Sequence, residues 1–372
     1  MLQCKRFTLI VYTMLIIHMA NKTKKKISII DVAKEAGVSV ATVSRVLNNK
    51  KGAFNISVET HNSVLVAANK LHYVIDPFAS ALRSGKTGLL GAVIRDTEDP
   101  FLEKLLKELH NKAWKKNIDL LVGYANYDLA IARRSIDVMI SHFFDGLFLI
   151  GDISGNEELI NRIREANTPF VIVAHGVVDD LHAINVNEEQ GVHLAIDYLK
   201  QLGHKKIAVL GDLTLAGTRQ RIEIFIKYFH DRDECFRNDF VYECKNDRLD
   251  ASQKVMDLMS LSDPPTAIFC TTDVIALGAI NRLLSEGFSI PGDVSILGYD
   301  NISDSRSSYP SLTTISQCVD KMADESINLL QEIMKNQNYS DLKECVKIEP
   351  ELIIRDSCGN PRTNSNERIV KL

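Results

Sequence analysis

D-V-A-K-E-A-G-V-S-V-A-T-V-S-R-V-L-N, Asp31 to Asn48, is the stretch on which the reading of this chain turns. Just upstream, Ser28-Ile29-Ile30-Asp31 has the S-x-x-D form of a helix start, with a hydroxyl for the first free N–H groups and an aspartate in the positive first turn. The spacing predicts a helix over Ile29 to Ala36. Gly37 supplies the backbone freedom of a tight turn, Ser39 caps, and a second helix over Val40 to Asn48 turns Val43, Val46 and Leu47 inward. Ala33 is small enough for the helices to cross closely, and a third helix, Ser57 to Leu71, offers Val58, Val64, Leu65, Ala68 and Leu71 to close a small core. Two short helices joined at a glycine turn form the helix-turn-helix, whose second helix lies in a DNA major groove, although small three-helix domains of other purpose share the pattern. Ser39, Thr42, Ser44 and Arg45 on the exposed side favour DNA: short hydroxyls suit phosphates and an arginine suits guanine.

The charge distribution agrees. The 372 residues carry a net charge of -4, but residues 22–87 balance at +7 and residues 1–21 at +2, which leaves -13 on residues 88–372. A small basic module joined to a large acidic body implies a polyanion partner at the N-terminal end only. With 45% hydrophobic and 25% charged residues, disorder and collagen are excluded, and at about 100–200 residues per domain the length implies two or three domains. Seven scattered cysteines, Cys4, Cys235, Cys244, Cys270, Cys318, Cys345 and Cys358, form no C-x-x-C pair and no metal-ligand spacing, as a reducing cytoplasm allows. Neither a metal nor a cofactor is expected.

Residues 1–26 stand apart. The apolar run Phe7 to Ala20 is short for a span of about 20 residues, lacks an A-x-A cleavage site and runs into Lys22, Lys24, Lys25 and Lys26. Met19 opens a polar start, M-A-N-K-T-K-K-K, so residues 1–18 are expected to be a mis-assigned extension. The alternative is a membrane anchor whose flanking lysines keep the rest cytoplasmic.

The run Asp31 to Asn48 resembles, nearly position for position, the N-terminal signature of the lactose-repressor/galactose-repressor (LacI/GalR) family of bacterial transcription regulators. The resemblance implies base selectivity at Val40 and Ala41, a base contact at Arg45, and phosphate contacts from Ser39, Thr42 and Ser44. Asn49 to Ile56 is a longer loop than the family usually has there.

Asp76-Pro77 to Gly85 carries a cap residue, a proline at the first helical position and a glycine past the end, the boundaries of a two-turn helix. So short a helix is marginal alone, since nucleation is recovered only over about 12–15 residues. In the family this segment is a hinge helix that pairs with its twin in the minor groove. The resemblance makes Leu82 the wedge between base pairs and Ala79 the close contact between the paired helices; an ordinary interdomain linker is the plainer alternative.

From Gly88 onward, apolar strand-like runs alternate with amphipathic helical patterns, the mark of parallel sheets with crossover helices. Strands are expected at Leu89–Ile94, Ile118–Val122, Gly146–Ile150, Phe170–Ala174, Ile207–Leu210, Ala267–Thr271 and Ser295–Gly298, and helices at Phe101–Lys116, Glu189–Leu202 and Val274–Glu286. No G-x-G-x-x-G, P-loop, G-x-S-x-G or H-E-x-x-H motif occurs, so an enzyme reading lacks a specific basis. Ligands of open parallel sheets bind beyond the carboxyl ends of strands. There lie Arg95 to Phe101 (R-D-T-E-D-P-F), Thr271-Thr272-Asp273 and Gly298 to Asn301, with Arg219 and Arg221 opening a helix. Carboxylates and an arginine around a cleft suit a polyhydroxylated ligand.

Leu202 to Gly211, Gly217 to Arg221, Thr272 to Ala279, Asp293 to Asp300 and Ser311 to Ile315 resemble core landmarks that the family shares with periplasmic sugar-binding proteins. That implies effector contacts at Arg221 and Asp300, then Asp273, Gln317 and Gln190, then Arg95 and Phe101. Thr272 stands where several relatives have asparagine. The plainer alternatives are an Arg–Asp ion pair that is purely structural and an Asp273 that caps its helix. Trp114 and His204 are expected to pack.

The chain is therefore expected to be α/β with an all-α head. Its parts are an extension (1–26), a helix-turn-helix domain (27–73), a hinge helix and linker (74–87), a two-lobed periplasmic-binding-protein-like core (88–356) and a polar tail (357–372). The expected function is that of a cytoplasmic repressor of a carbohydrate-utilisation or metabolic operon. It would bind a near-palindromic double-stranded operator as a homodimer, without stable membrane association, and answer to a sugar-like effector. A transport receptor and a carbohydrate-active enzyme with a DNA-binding head are the rival classes.

Overall fold

The computed structural model describes residues 27–47, 56–73, 86–152, 156–174, 181–232, 237–335 and 344–362. It divides into two compact units, residues 1–87 and 88–372. Ala79, Leu82 and the rest of the expected hinge helix lie outside the described residues, as do residues 1–26, most of the loop before the third helix, Cys235 and the end of the tail.

The first unit holds three helices, α1 (Ile29–Ala36), α2 (Val40–Leu47) and α3 (Val58–Lys70). Ser28 caps α1 in a reciprocal box: its N–H donates to the Asp31 carboxylate at 2.9 Å, and its hydroxyl accepts the Asp31 N–H at 3.4 Å. Gly37, at φ 67, closes the helix in the left-handed region that disfavours side chains. Val32, Ala33, Val43, Val46, Val64, Ala67 and Ala68 form the core. The third helix turns Val64 and Ala68 inward as expected, with Leu71 packed against them, but not Val58 or Leu65. Val58 and Leu65 are 77% and 39% exposed, because the buried stripe runs through Val64, Ala67 and Ala68, about 100° from Leu65 around the helix.

The second unit is two lobes built on six-stranded sheets. The strands of the first lobe are β1 (Leu89–Ile94), β2 (Asp119–Tyr124), β3 (Gly146–Ile150), β4 (Phe170–Val173) and β5 (Ala183–Val186). Helices α4 (Pro100–Lys115), α5 (Leu129–Ser141) and α6 (Asn156–Glu165) connect them. After β5 the chain enters the second lobe through α7 (Glu188–Gln201), β6 (Ile207–Gly211), α8 (Ala216–His230), β7 (Val241–Glu243) and α9 (Arg248–Met259). That lobe continues with β8 (Ala267–Cys270), α10 (Asp273–Ser285), β9 (Ser295–Asp300), α11 (Ser303–Ser307) and β10 (Thr313–Ser316). The chain returns with α12 (Val319–Lys335) and β11 (Cys345–Ile348), then crosses again to end in β12 (Glu351–Ile353).

The strand orders are β11-β5-β4-β3-β1-β2 and β12-β10-β9-β8-β6-β7, all pairs parallel except β10 with β12. Three crossings, after β5, β10 and β11, thus lie side by side between the lobes. Strands such as β3, β4, β8 and β9 are buried throughout, as parallel strands covered by helices on both faces must be.

The seven expected strands are present to within two residues at either end. Five short ones, β5, β7, β10, β11 and β12, were not anticipated: three or four residues hold too little periodicity to mark them. Ser357 does not open a free tail. Its hydroxyl donates to the Ile296 carbonyl at 2.6 Å and accepts the Thr313 N–H at 2.8 Å, which stitches it to the second sheet. His204 packs as expected, between Thr266, Ser295 and the Gly359 carbonyl. Trp114 does not pack: Leu102, Leu105, Leu109 and Ala113 face the core, and the residue after Ala113 turns out to solvent, 66% exposed. Among the described residues no helix is long and apolar enough to cross a membrane.

Helices α9 and α10 meet at Gly278, where a Cβ would overlap the Arg248 carbonyl and Cα of the neighbouring backbone. Gly278→Ala is expected to cost about 1–3 kcal/mol through overpacking, read as a lowered urea midpoint at unchanged slope.

Candidate functional site

Two constellations stand out, one in each unit. In the head, α2 separates its residues by face. Val43 and Val46 are buried, while Val40, Ala41 and Arg45 are exposed and Thr42 and Ser44 half-buried. Ser39 accepts the Thr42 N–H at 3.1 Å, and its hydroxyl lies 2.9 Å from that of Thr42. The six residues singled out from the sequence therefore share the start and outer side of one short helix, whose N-terminal end favours negative charge.

In the core, a cleft of about 430 Å³ opens between the lobes. Its floor is made by the starts of α7 and α8 and the carboxyl ends of β5, β8, β9 and β10. Arg221, one turn into α8, is the centre. Its Nε and Nη2 donate to the two Glu188 oxygens at 2.8 and 2.9 Å, and its Nη1 donates to the Thr271 carbonyl at 2.8 Å and to Asp300 Oδ1 at 3.3 Å. The Tyr299 ring covers the guanidinium 3.7 Å from its carbon. Burial opposes the arginine's charge, but Glu188, Tyr299 and Asp300 outweigh it and hold its pKa above the ordinary range. Gln317 donates to Asp300 Oδ1 at 2.6 Å. Burial pushes the Asp300 carboxyl well up, against the pull of Arg221. Asp300 sits at φ 111, outside the regions a side chain prefers, a strain of about 1–3 kcal/mol that turns the end of β9 toward the cleft.

On the opposite lobe, Arg95 at the end of β1 donates to Asp99 at 2.6 Å, and Asp99 caps α4 through the N–H groups of Phe101 and Leu102. Arg95 is 6% exposed, and its Nε has no hydrogen-bond partner among the described residues. Thr272 donates to the Asn246 side-chain oxygen at 2.7 Å, and both residues line the cleft.

Of the seven expected effector residues, Arg221, Asp300, Gln317, Arg95 and Phe101 come together around the cleft. Gln190 does not: it is exposed on the first turn of α7, outside the lining. Asp273 is also outside it. Fully buried, its carboxylate accepts the Thr314 hydroxyl at 2.5 Å and the Ile302 N–H at 2.9 Å, clamping α10 to β10 and to the segment after β9. Nor is it the cap of α10, a role that falls to Thr272. Glu188 was missed, although it follows a strand end directly. With only four residues, β5 has too little periodicity to mark Glu188 as lying beyond a strand end.

Residues 28–76 match the bacterial regulatory proteins of the lacI family, and residues 196–358 match a periplasmic binding protein-like domain. The HTH-type transcriptional repressor PurR of Actinobacillus pleuropneumoniae serotype 3 (strain JL03) is 31% identical over 333 residues, 89% of this chain and 98% of that protein. The chain belongs to the lacI family of bacterial regulatory proteins. It is a DNA-binding transcription regulator with an effector-binding core, not an enzyme. Two solved structures resemble this lacI-family protein in fold. The lac repressor dimer bound to operator and the anti-inducer ONPF has a TM-score of 0.78 and 23% identity, covering 90% of this chain and all of that one. The complex of the transcriptional regulator CelR with cellobiose has a TM-score of 0.65 and 20% identity, covering 89% and 99%.

In this lacI-family core, burial raises the Asp273 carboxyl from 3.8 to about 7, against the hydrogen bonds it accepts. The folded state thus holds the proton more tightly than the unfolded chain. The corresponding stability is full below 3.8 and is lost as pH rises through about 7. Asp273→Asn can keep both hydrogen bonds, its amide oxygen facing Ile302 and its NH₂ facing the Thr314 hydroxyl. Urea unfolding at stepped pH should show the variant gaining on the wild type as pH rises through that window; parallel curves would contradict it.

Proposed function

We propose that this regulator is a cytoplasmic repressor of a carbohydrate-utilisation or metabolic operon, released or recruited by a sugar or sugar derivative held between the core lobes. The observation that carries the reading is the convergence of Asp300, Gln317, Glu188, Asn246 and Thr272 on one cleft with buried Arg221 at its centre. Carboxylates and amides so placed take adjacent hydroxyls with charge-assisted hydrogen bonds, while Phe101, Leu102 and Ile224 offer apolar surface to a ring. Arg221, Asp300, Gln317, Arg95 and Phe101 are assigned to the effector. Ser39, Val40, Ala41, Thr42, Ser44 and Arg45 are assigned to the major groove, and Ala79 and Leu82 to the minor groove.

The domain plan expected from the sequence is kept, with the core extended to Gly359. The active unit is a homodimer on a near-palindromic operator with a deformable central step. Edge strand β2 supports this, since it leaves Leu121, Val122 and Tyr124 46%, 47% and 38% exposed, an apolar edge that a second copy would cover. An effector with unequal affinity for two lobe arrangements would shift the hinge segments between formed and unformed, with a coupling of about 1–3 kcal/mol.

Thermal-shift screening of a sugar library, followed by operator titration of the hits, tests the proposal. At least one sugar should raise the melting temperature and change operator affinity; a library without such a hit would overturn the effector class. Asp300→Ala should lose that response and keep operator binding. Arg45→Ala should relax base preference at one position of the selected operator by about 1–3 kcal/mol, and an unchanged preference would remove Arg45 from the groove.

A further inference from the structure

Both guanidinium groups inside the cleft are already matched to carboxylates of this chain. Arg221 offers five N–H donors. Two are taken by Glu188, and its Nη1 serves Thr271 and Asp300, which leaves one on Nη2. Arg95 is paired with Asp99. The Arg221–Glu188 pair is bidentate and buried, with side chains 6% and 9% exposed, the geometry that a ligand phosphate or carboxylate would otherwise adopt on that arginine. The interior thus sets Glu188, Asp99 and Asp300 against Arg221 and Arg95, and even with Asp300 protonated each guanidinium keeps its own carboxylate. The other cations of the lining, Lys227 and Lys347, are exposed at the rim, where solvent screens them, and Glu189 is exposed there as well.

An anion entering this cleft would have to displace Glu188, leaving a buried carboxylate unpaired, or sit beside it without a countercharge. Either outcome is costly for side chains as buried as Arg221 and Glu188. A neutral polyol meets no such obstacle, because the second oxygen of Asp300 and the spare lone pairs of the other carboxylates accept its hydroxyls, and the last Nη2 hydrogen of Arg221 donates to its oxygens. We infer that the effector is an uncharged polyhydroxylated molecule, that its phosphorylated and carboxylate-bearing counterparts are excluded, and that Glu188 is the residue that enforces the exclusion. The inference rests on the reading of the cleft as the effector site. It assigns Glu188 a role in specificity, exerted through Arg221.

The test uses the full chain and matched probes: glucose against glucose 6-phosphate and glucuronate, ribose against ribose 5-phosphate, and inorganic phosphate alone, all by calorimetry. Wild type should bind none of the anions, or bind them at least about tenfold more weakly than the neutral partner, a gap of about 1.4 kcal/mol. Glu188→Gln frees the guanidinium and should gain about tenfold or more in affinity for the anionic probes. That gain should vanish when Arg221→Gln is added, which a merely structural Glu188 would not produce. Should Glu188→Gln fail to fold, Glu188→Ala is read in the same way. Wild type binding any anion more tightly than its neutral partner overturns the inference, as does a folded Glu188 variant with no gain. A gain in the variant, with no neutral sugar bound by wild type, sinks the sugar reading and leaves the charge rule standing.

Discussion

The core is organised around one buried positive charge. A guanidinium removed from water must have its hydrogen bonds supplied and its charge matched. Arg221 obtains both from groups far apart in sequence: Glu188 where the chain enters the second lobe, the Thr271 carbonyl at the end of β8, and Asp300 at the end of β9, itself held by Gln317 beyond β10. The ion pairing therefore ties together the ends of the strands that form the cleft floor, beside the three crossings between the lobes. Loss of one partner would leave the others buried and unpaired, which costs more than the net worth of any single bond in the cluster.

Around that centre, structural and ligand-facing polar groups lie close together. Asp273 opens the helix that follows β8 and Asp300 ends the neighbouring β9, yet one turns to Thr314 and Ile302 and the other to the cleft. The first lobe reaches the second through Lys104, which donates to the Asn301 carbonyl at 2.8 Å, and Asp152, which accepts the Ala216 N–H at 3.2 Å at the start of α8. A ligand that touches both walls can bias such contacts only to the extent that it binds one lobe arrangement more tightly than another.

The head follows a simpler logic. Its core of valines and alanines is too small to tolerate a buried polar residue, so the hydroxyls and Arg45 of α2 are left to the surface by default. The same small core explains the misplaced Val58 and Leu65. On a helix that buries only one narrow stripe, apolar side chains off that stripe are exposed whatever their hydropathy.

Local chemistry was legible in the sequence: the Ser28–Asp31 box, the glycine turn, the phase of α2, the longer parallel strands, and the arginine and aspartate at their carboxyl ends. These depend on residues within a turn or two of each other, so spacing alone determines them. Glu188 on Arg221, the withdrawal of Asp273 and Gln190 from the cleft, and the stitching of Ser357 into the second sheet were decided only by tertiary structure. Each depends on which strand ends become neighbours after three crossings between lobes, and strands of three or four residues carry too little periodicity to announce that arrangement.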